Sequence, residues 1–170
     1  QADVAIRFDR QTQPNLVQRK LMTIHYHIFA SSKYLAEYGT PATPADLDDH
    51  RLIVYGDDVQ APVENINWLL NEGRPKDDPR EPALRVNSVY GIYRAVCSGL
   101  GIAALPYYLS EEAPNLVEIL PQITGPSIDA YFVYPEELRH SKRIDVLREF
   151  LLAEVKDYRS NITSRNVDAS

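Results

Sequence analysis

One stretch near the middle of the chain limits its fold most, because it reads as strand, helix, tight turn and strand in succession. Leu84 and Val86 alternate as in a short strand. Either Asn87 or Ser88 offers a side-chain oxygen that can accept from the free N–H groups of a helix's first turn. Gly99 follows the helical pattern at a position where a left-handed residue commonly ends a helix. The stretch therefore predicts a strand–helix–strand unit of an α/β fold.

The apolar residues of this unit define its helix face and its second strand. Ile102–Leu105 is a short apolar run that predicts a buried parallel strand, and Pro106 ends it. The glycines follow the helix instead of opening it, so the run is not a dinucleotide-binding fingerprint. Five apolar residues recur at helical spacing and predict the buried face of the helix: Val89, Ile92, Tyr93, Val96 and Leu100.

Net charge and composition limit the classes of function. The chain has 170 residues and a formal net charge of −6, whereas a nucleic-acid surface is normally basic. Its single cysteine, Cys97, excludes an internal disulfide framework and fits a reducing compartment. No apolar run approaches the length of a membrane span. We therefore predict a globular domain with no membrane partner and no nucleic-acid surface of its own.

The sequence carries no recognisable catalytic or metal-binding pattern. It lacks a Gly-x-Ser-x-Gly elbow, a P-loop, a His-Glu-x-x-His motif and a Cys-x-x-Cys pair. His25 and His27 alternate along a predicted strand and share a face, but no cysteine or carboxylate neighbour supports a metal pair. Hydrogen-bonded or solvated histidines are the favoured interpretation. We therefore predict that the chain is not an enzyme and holds no cofactor and no metal.

Several motifs, in a fixed order, carry a resemblance to a known family. From Asp3 to about Leu152 the sequence resembles the effector-binding domain of LysR-type transcriptional regulators. The matching segments are Asp-Val-Ala-Ile-Arg from Asp3, Ser-x-x-Tyr-Leu from Ser31, Gly-Thr-Pro-x-Thr-Pro-x-Asp-Leu from Gly39, His-Arg-Leu-Ile from His50 and the glycine-containing apolar run from Gly99 to Pro106.

The resemblance implies a two-lobed, periplasmic-binding-protein-like fold of type 2. Its lobes would be Rossmann-like and joined by two crossover strands, Ile24–Ser31 and Asp129–Tyr134. Residues 1–30 and 128–158 would belong to the first lobe, residues 31–127 to the second, and residues 159–170 to a tail. Because the family's opening βαβ part is missing from these residues, we expect the first lobe to be incomplete. It would be completed by another copy, by a separate fragment or by a longer chain.

The resemblance also implies a small-molecule effector in a cleft between the lobes. Arg7 and Phe8 follow the first strand at its carboxyl end, where open α/β sheets bind ligands. A positive charge, hydroxyl groups and a helix N-terminus suit a small anion such as a carboxylate. The predicted ligand-binding residues are Arg7, Phe8, Ser31, Ser32, Asn87, Ser88, Tyr107 and Phe132, with the last two as apolar walls.

The implied regulator is cytoplasmic and forms a homodimer or a homotetramer. It would bind DNA through a winged helix-turn-helix that these residues do not include. Two alternatives stay open: a redox-responsive regulator switched through Cys97, and an extracytoplasmic solute-binding protein, which shares the fold. Cys97 lies next to core-facing helix positions with no evident activating group, so a structural role is favoured for its thiol.

Three further predictions concern elements outside the central unit. Leu16–Lys20 and Ile24–Ala30 are predicted as two strands. Asn67–Leu70 is predicted as a strand that carries the tryptophan. A last helix is predicted from Ser141, with an apolar face formed by Ile144, Leu147, Leu151 and Val155.

Overall fold

The computed structural model describes residues 4–57, 61 and 64–153. The chain divides into unit 1, Gln1–Ile24 with Ile128–Ser170, and unit 2, His25–Ser127. The strands are β1 (Ala5–Arg7), β2 (Leu16–Ser31), β3 (Ile53–Tyr55), β4 (Leu84–Val86), β5 (Ala103–Pro106), β6 (Leu116–Ile119) and β7 (Ser127–Pro135). The α-helices are α1 (Ser32–Tyr38), α2 (Val89–Cys97) and α3 (residues 142–153). Short 3-10 helices span Pro44–Asp49, Trp68–Asn71, Tyr107–Glu112 and Glu136–Leu138. None of these described helices combines the length and the apolar character that crossing a membrane requires.

The strands of unit 2 include parallel and antiparallel pairs. Strands β3 and β4 pair in parallel, and β3 is joined on its other side to the chain before β5 by a parallel bridge between Leu52 and Ile102. The final part of β2 lies between β5 and β6 and is antiparallel to both. The predicted strand–helix–strand unit is therefore confirmed as β4, α2 and β5.

Both ends of α2 follow from its sequence. At the start, the Ser88 hydroxyl accepts a hydrogen bond from the Gly91 N–H at 2.9 Å. At the end, Gly99 has a φ of 82°, in the left-handed region. The N–H groups of Gly99 and Leu100 then donate to the carbonyls of Val96 and Ala95 at 3.0 and 3.1 Å. This pair of bonds satisfies two carbonyls that a helix end would otherwise leave open.

The structure corrects two details of the central unit. Leu100 is 46% exposed and lies beyond the helix, so it is not part of the buried face. The left-handed Gly99 turns the chain away before Leu100, which ends the helical period. Ile102 makes the predicted parallel contact, but β5 itself is antiparallel to β2. An apolar run predicts a buried strand without fixing the direction of its partner.

Two strand predictions elsewhere need correction. Leu16–Lys20 and Ile24–Ala30 are both confirmed as strand, but they are parts of one continuous strand, β2, in which Leu21 and Ile24 are buried. The Trp68 segment is a 3-10 helix, Trp68–Asn71, not a strand. Trp68, Leu69 and Leu70 are all buried there, which explains why the segment reads as a buried strand.

Unit 1 has a core of its own, between its strands and α3. Strand β7 lies between β1 and β2. Helix α3 contributes Ile144, which is buried, whereas Leu147 is 38% exposed. Leu151 packs at the edge of the core, and Val155 lies outside the described residues. The buried residues of this core are Val17, Leu21, Phe132, Tyr134 and Ile144.

A buried arginine ties together three loop segments of unit 2. Arg80 is 5% exposed, and its Nε donates to the Asp48 carboxylate at 2.6 Å. The two terminal nitrogens donate to three carbonyls, those of Pro44, Leu69 and Glu72. A buried guanidinium is stable only when its donors are paired in this way. Arg80 therefore fixes the 3-10 helices at Pro44–Asp49 and Trp68–Asn71 to each other.

We expect Arg80→Ala to lower the free energy of unfolding by roughly 3 kcal/mol, because buried carbonyls lose their donors and the segments lose their link. Chemical denaturation measures the difference. Arg74→Ala is the matched control, since Arg74 also bonds to Asp48 but is more exposed, and its effect should be much smaller. Equal losses for the two variants would contradict the assigned role of Arg80.

Candidate functional site

The candidate site of unit 2 lies where the parallel strands β3 and β4 end. Strand β3 ends at Tyr55 and β4 ends at Val86. Helix α2 begins at Val89, three residues after the end of β4, so its N-terminus lies at this edge. In open α/β sheets the crevice outside the carboxyl ends of parallel strands is the usual place for ligands. We call this region, formed by Gly56, Asn87 and the first turn of α2, the carboxyl edge.

A glycine positions the first polar group of the carboxyl edge. The Gly56 N–H donates to the Val86 carbonyl at 3.2 Å, which continues the pairing of β3 with β4. A Cβ added at Gly56 would overlap the Asn87 side-chain oxygen. The Asn87 amide therefore lies directly over the Gly56 backbone, an arrangement that only glycine allows without movement of the amide.

The first turn of α2 supplies the second polar group. The Ser88 hydroxyl satisfies the Gly91 N–H, and the Ile92 N–H donates to the Ser88 carbonyl at 3.0 Å. The earlier N–H groups, those of Val89 and Tyr90, have no partner within the helix. Ser88 and Tyr90 are exposed, so these N–H groups lie at an accessible helix N-terminus with a positive partial charge.

Two further contacts fix the end of β3. The Asn67 side chain accepts from the Tyr55 N–H and donates to the Tyr55 carbonyl, both at 2.9 Å. Asp57, just beyond the end of β3, forms an ion pair with the Arg85 guanidinium of β4 at 2.8 Å. The Asn67 side chain thus takes the place of a neighbouring strand at Tyr55. The charge of the Arg85 guanidinium is already neutralised by the Asp57 carboxylate.

Ser31 and Ser32 lie at the other end of α2. Ser31 is fully buried, and its hydroxyl caps α1 by accepting from the Tyr34 N–H at 3.1 Å. A Cβ placed on Gly99 would lie 3.4 Å from the Ser31 hydroxyl oxygen. Since α2 and its turn span roughly 15 Å between Ser88 and Gly99 at a rise of about 1.5 Å per residue, Ser31 and Ser32 are not brought together with Asn87 and Ser88. The Ser31 hydroxyl has the structural role of a cap in this conformation.

Tyr107 packs on strand β2 instead of facing the carboxyl edge. Its ring meets the His27 ring edge to face at a centroid distance of 4.9 Å, and lies 6.4 Å from the Phe29 ring. His27 in turn lies 2.7 Å from a Glu118 carboxylate oxygen on β6. The favoured interpretation of His27 as a hydrogen-bonded side chain agrees with this contact.

The remaining predicted site residues belong to unit 1. Arg7 ends β1, pairs with Tyr131 of β7 and is exposed. Phe8 follows it and is 41% exposed, so both side chains are accessible. Phe132 is fully buried in the core of unit 1 and presents no surface that could form a ligand wall in this conformation.

Asn87 and Ser88 are marked by the sequence pattern, but two residues that shape the same region, Gly56 and Asn67, are not. Gly56 follows a strand without any motif to mark it, and its role depends on contact with Asn87, which is 31 positions away in the sequence. Asn67 lies in the segment predicted as a strand, where its side chain had no assigned partner. Both are positioned by tertiary contacts, and no local pattern signals them.

Cys97 is the last residue of α2 and is partly buried. Its carbonyl accepts from the Asn115 side chain at 3.1 Å, and its thiol lies against the Tyr93 hydroxyl. Burial raises the pKa of Tyr93, and the neighbouring Cys97 raises it further. Among the described residues no group of three or more histidine, cysteine or acidic side chains is arranged to hold a metal ion.

We expect the Cys97 thiol to be structural, because it is partly buried and lies against the Tyr93 hydroxyl. Mass spectrometry of the folded full-length protein after peroxide treatment should find Cys97 largely unmodified, while the unfolded protein reacts. Oxidation of the folded protein as fast as that of the unfolded protein would reverse this assignment.

Alanine substitutions at two glycines compare the tolerance of the carboxyl edge with that of the sheet. In Gly56→Ala the new Cβ meets only the end of the exposed Asn87 side chain, which can rotate. In Gly101→Ala it meets the carbonyl oxygen of Arg51, which is held in the sheet. We expect a cost of up to about 1 kcal/mol for the first and about 2 kcal/mol or more for the second, measured by chemical denaturation. The reverse order would contradict the described packing.

Comparison with known proteins places this geometry in a family. The family described as the LysR substrate binding domain matches residues 1–156. An uncharacterised HTH-type transcriptional regulator of Haemophilus influenzae is 30% identical over 142 residues, which cover 81% of this chain and 48% of that protein. The chain spans about half the length of the curated relatives it matches.

Solved structures show the same fold. The regulatory domain of CrgA, a LysR-type transcriptional regulator from Neisseria meningitidis, has a TM-score of 0.73 at 23% identity, covering 90% of this chain and 75% of that one. Full-length LysG from Corynebacterium glutamicum, solved with the bound effector Arg, has a TM-score of 0.61 at 16% identity, covering 90% of this chain and 50% of that one. The predicted α/β fold, periplasmic-binding-protein-like and of type 2, is thereby confirmed. The chain belongs to the LysR substrate-binding domain family.

Proposed function

We propose that this chain is the effector-sensing domain of a LysR-type, DNA-binding transcriptional regulator, and that a small anionic metabolite is its effector. The observation that carries the proposal is the carboxyl edge, where an exposed helix start lies beside the Asn87 amide. In this proposal unit 1 and unit 2 correspond to the two lobes, residues 1–30 with 128–158 and residues 31–127. Relatives that match the chain are named as transcriptional regulators, which supports sensing over catalysis.

The preference for an anion follows from the electrostatics of the carboxyl edge. The unpaired N–H groups at the start of α2 and the helix dipole favour negative charge. Ser88 and Asn87 add donors that can orient a carboxylate. In unit 1, Arg7 is exposed and offers a positive charge. Of the predicted ligand-binding residues we retain Arg7 and Phe8 in unit 1 and Asn87 and Ser88 in unit 2, which are exposed. Ser32 is exposed as well, but it lies at the far end of α2 and is not retained.

DNA and oligomer contacts belong to the whole regulator in this proposal. A net charge of −6 makes this segment a poor nucleic-acid surface, so a winged helix-turn-helix elsewhere in the regulator would contact DNA. An exposed apolar strip on α3, formed by Val146, Leu147 and Phe150, supports assembly into a homodimer or a homotetramer. Such a regulator works in the cytoplasm, where its DNA is.

A metabolite library tests the ligand site. We expect carboxylates that raise the Tm of the full-length protein to lose that effect in the double variant Asn87→Ala, Ser88→Ala, because two of their donors are removed. Thermal unfolding monitored by circular dichroism or a dye measures the shift. An unchanged ligand-induced shift in the double variant would reject the carboxyl edge as the binding site.

The loss of the α2 cap lowers stability by itself, so its effect on stability must be separated from an effect on ligand binding. Ser88→Ala removes the cap of α2 and should cost about 1 kcal/mol without any ligand. Ser31→Ala removes the corresponding cap of α1 at the far end of α2, so it should lower stability by a similar amount. The Ser31 variant should nevertheless keep its full response to the ligand, and an equal loss of response in both variants would point to a general effect on folding.

A further inference from the structure

The indole N–H of Trp68 is a buried hydrogen-bond donor that lacks an acceptor. Trp68 is 7% exposed, and its Nε1 has no partner among the described residues. Buried indole N–H groups normally find an acceptor, because water cannot reach them to take its place. An open donor of this kind marks a place where a second conformation or a bound group can supply the missing acceptor.

An unmatched acceptor lies close by, at the Tyr26 carbonyl of β2. The Tyr26 N–H donates to the Pro126 carbonyl at 3.4 Å. Strand β7 lies next to β2, and Thr23 bonds to Asp129 further along, so the two segments run antiparallel. Opposite residues of such a pair exchange two bonds, but proline has no N–H to return the second one. Pro106, the partner of Tyr26 in β5, lacks an N–H as well, so the Tyr26 carbonyl receives no bond from either opposite residue.

Gly125 brings the donor and the acceptor to the same point. A Cβ added to Gly125 would lie 2.7 Å from the Tyr26 carbonyl oxygen and 2.8 Å from Cζ2 of the Trp68 ring. Cζ2 is bonded to the carbon that carries Nε1, so the open N–H lies on the same edge of the ring. Because Gly125 has no side chain, a small shift of the indole would bring its N–H onto the carbonyl.

Trp68 also continues the segment that holds the carboxyl edge. The Asn67 side chain bonds to both backbone groups of Tyr55 at the end of β3. Trp68 begins a 3-10 helix directly after it, and the Arg80 guanidinium anchors that helix at the Leu69 carbonyl. A displacement of the end of β3 by an effector would therefore reach the indole through one short, anchored helix.

The donor and the acceptor lie where the chain passes between its two units. Unit 2 begins at His25, directly before Tyr26, and ends at Ser127, directly after Pro126. A hydrogen bond from the indole to the Tyr26 carbonyl would therefore act close to both segments that connect unit 2 with the rest of the chain.

Resting on the proposed function, we propose that Trp68 is a positioning residue that relays effector binding from the carboxyl edge to β2. In the effector-bound form, its indole N–H donates a hydrogen bond to the Tyr26 carbonyl across Gly125. Without an effector, the Asn67 and Arg80 contacts keep the helix in the position described, where that bond is open. Because the bond is made only in the bound form, it lowers the cost of reaching that form and tightens effector binding.

The nuclear magnetic resonance signal of the Trp68 indole N–H tests this relay directly. The full-length protein is prepared with isotope-labelled tryptophan, and the signal is identified by its absence in Trp68→Phe. Benzoate, succinate and glutarate serve as probes, together with the carboxylates of the library that raise the Tm. With a bound carboxylate we expect the signal to move downfield and its exchange with deuterium to slow roughly 3- to 10-fold, the range that one hydrogen bond supplies. An unchanged signal at saturation would overturn the proposal.

A variant at Pro126 supplies the donor that the Tyr26 carbonyl lacks. Pro126→Ala adds an N–H opposite that carbonyl, which then competes with the indole for the same oxygen. We expect carboxylates to bind this variant roughly 3- to 10-fold more weakly in titration calorimetry, with no downfield shift of the indole signal. Pro121→Ala, at a loop proline of the same segment, is the matched control and should bind as the parent protein does. Binding by Pro126→Ala as tight as by Pro121→Ala would contradict the relay.

Trp68→Phe removes the donor itself and should weaken carboxylate binding by the same factor. Since Trp68→Phe and Pro126→Ala remove the same bond, the double variant should bind no more weakly than either single variant. Leu69→Val is the control for lost packing, because Leu69 lies buried on the same helix and carries no side-chain donor. It should lower the Tm while keeping the affinity. Additive losses in the double variant would show that the two residues act independently, against the proposal.

Failure of this relay can be told apart from failure of the proposed function. If carboxylates bind through Asn87 and Ser88 while the Trp68 signal stays unchanged, the role of Trp68 is rejected and the effector site stands. If none of these carboxylates binds the full-length protein, both proposals are rejected.

Discussion

The close backbone approach at Gly101 is the contact on which the architecture of unit 2 depends. Ile102 donates to the Arg51 carbonyl and accepts from the Ile53 N–H, both at 2.8 Å. A Cβ on Gly101 would overlap that same Arg51 carbonyl oxygen, so a larger residue would push the two segments apart. This contact holds the segment that follows α2, at Gly101 and Ile102, beside the start of β3. Given the length of α2, its N-terminus must then lie at the carboxyl edge.

The same contact explains why a slot exists beside the helix. A single parallel bridge joins β3 to the chain before β5, and β5 then pairs with β2 in the opposite direction. Beyond that bridge no pairing between β3 and β5 is found in the described part of the chain, and a slot of about 10 Å³ lies there. Tyr26 of β2 and Val89 of α2 both line this slot.

Local sequence signals predicted the central unit because each of them acts within a few residues. The Ser88 cap and the left-handed Gly99 are such signals, and the structure confirms both. The role of Ser31 could not be separated from that of Ser88 by pattern, since both precede a helix. Only the tertiary placement of Ser31 against Gly99 shows that it lies at the opposite end of α2.

The proposed function depends on the binding of a small acidic effector at the start of α2. A crystal structure of the full-length protein with the most strongly stabilising metabolite tests it directly. We expect the acidic group of that metabolite to lie within hydrogen-bond distance of the Val89 and Tyr90 N–H groups, with Asn87 in contact. A metabolite bound elsewhere in the protein, with the first turn of α2 open to solvent, would contradict it.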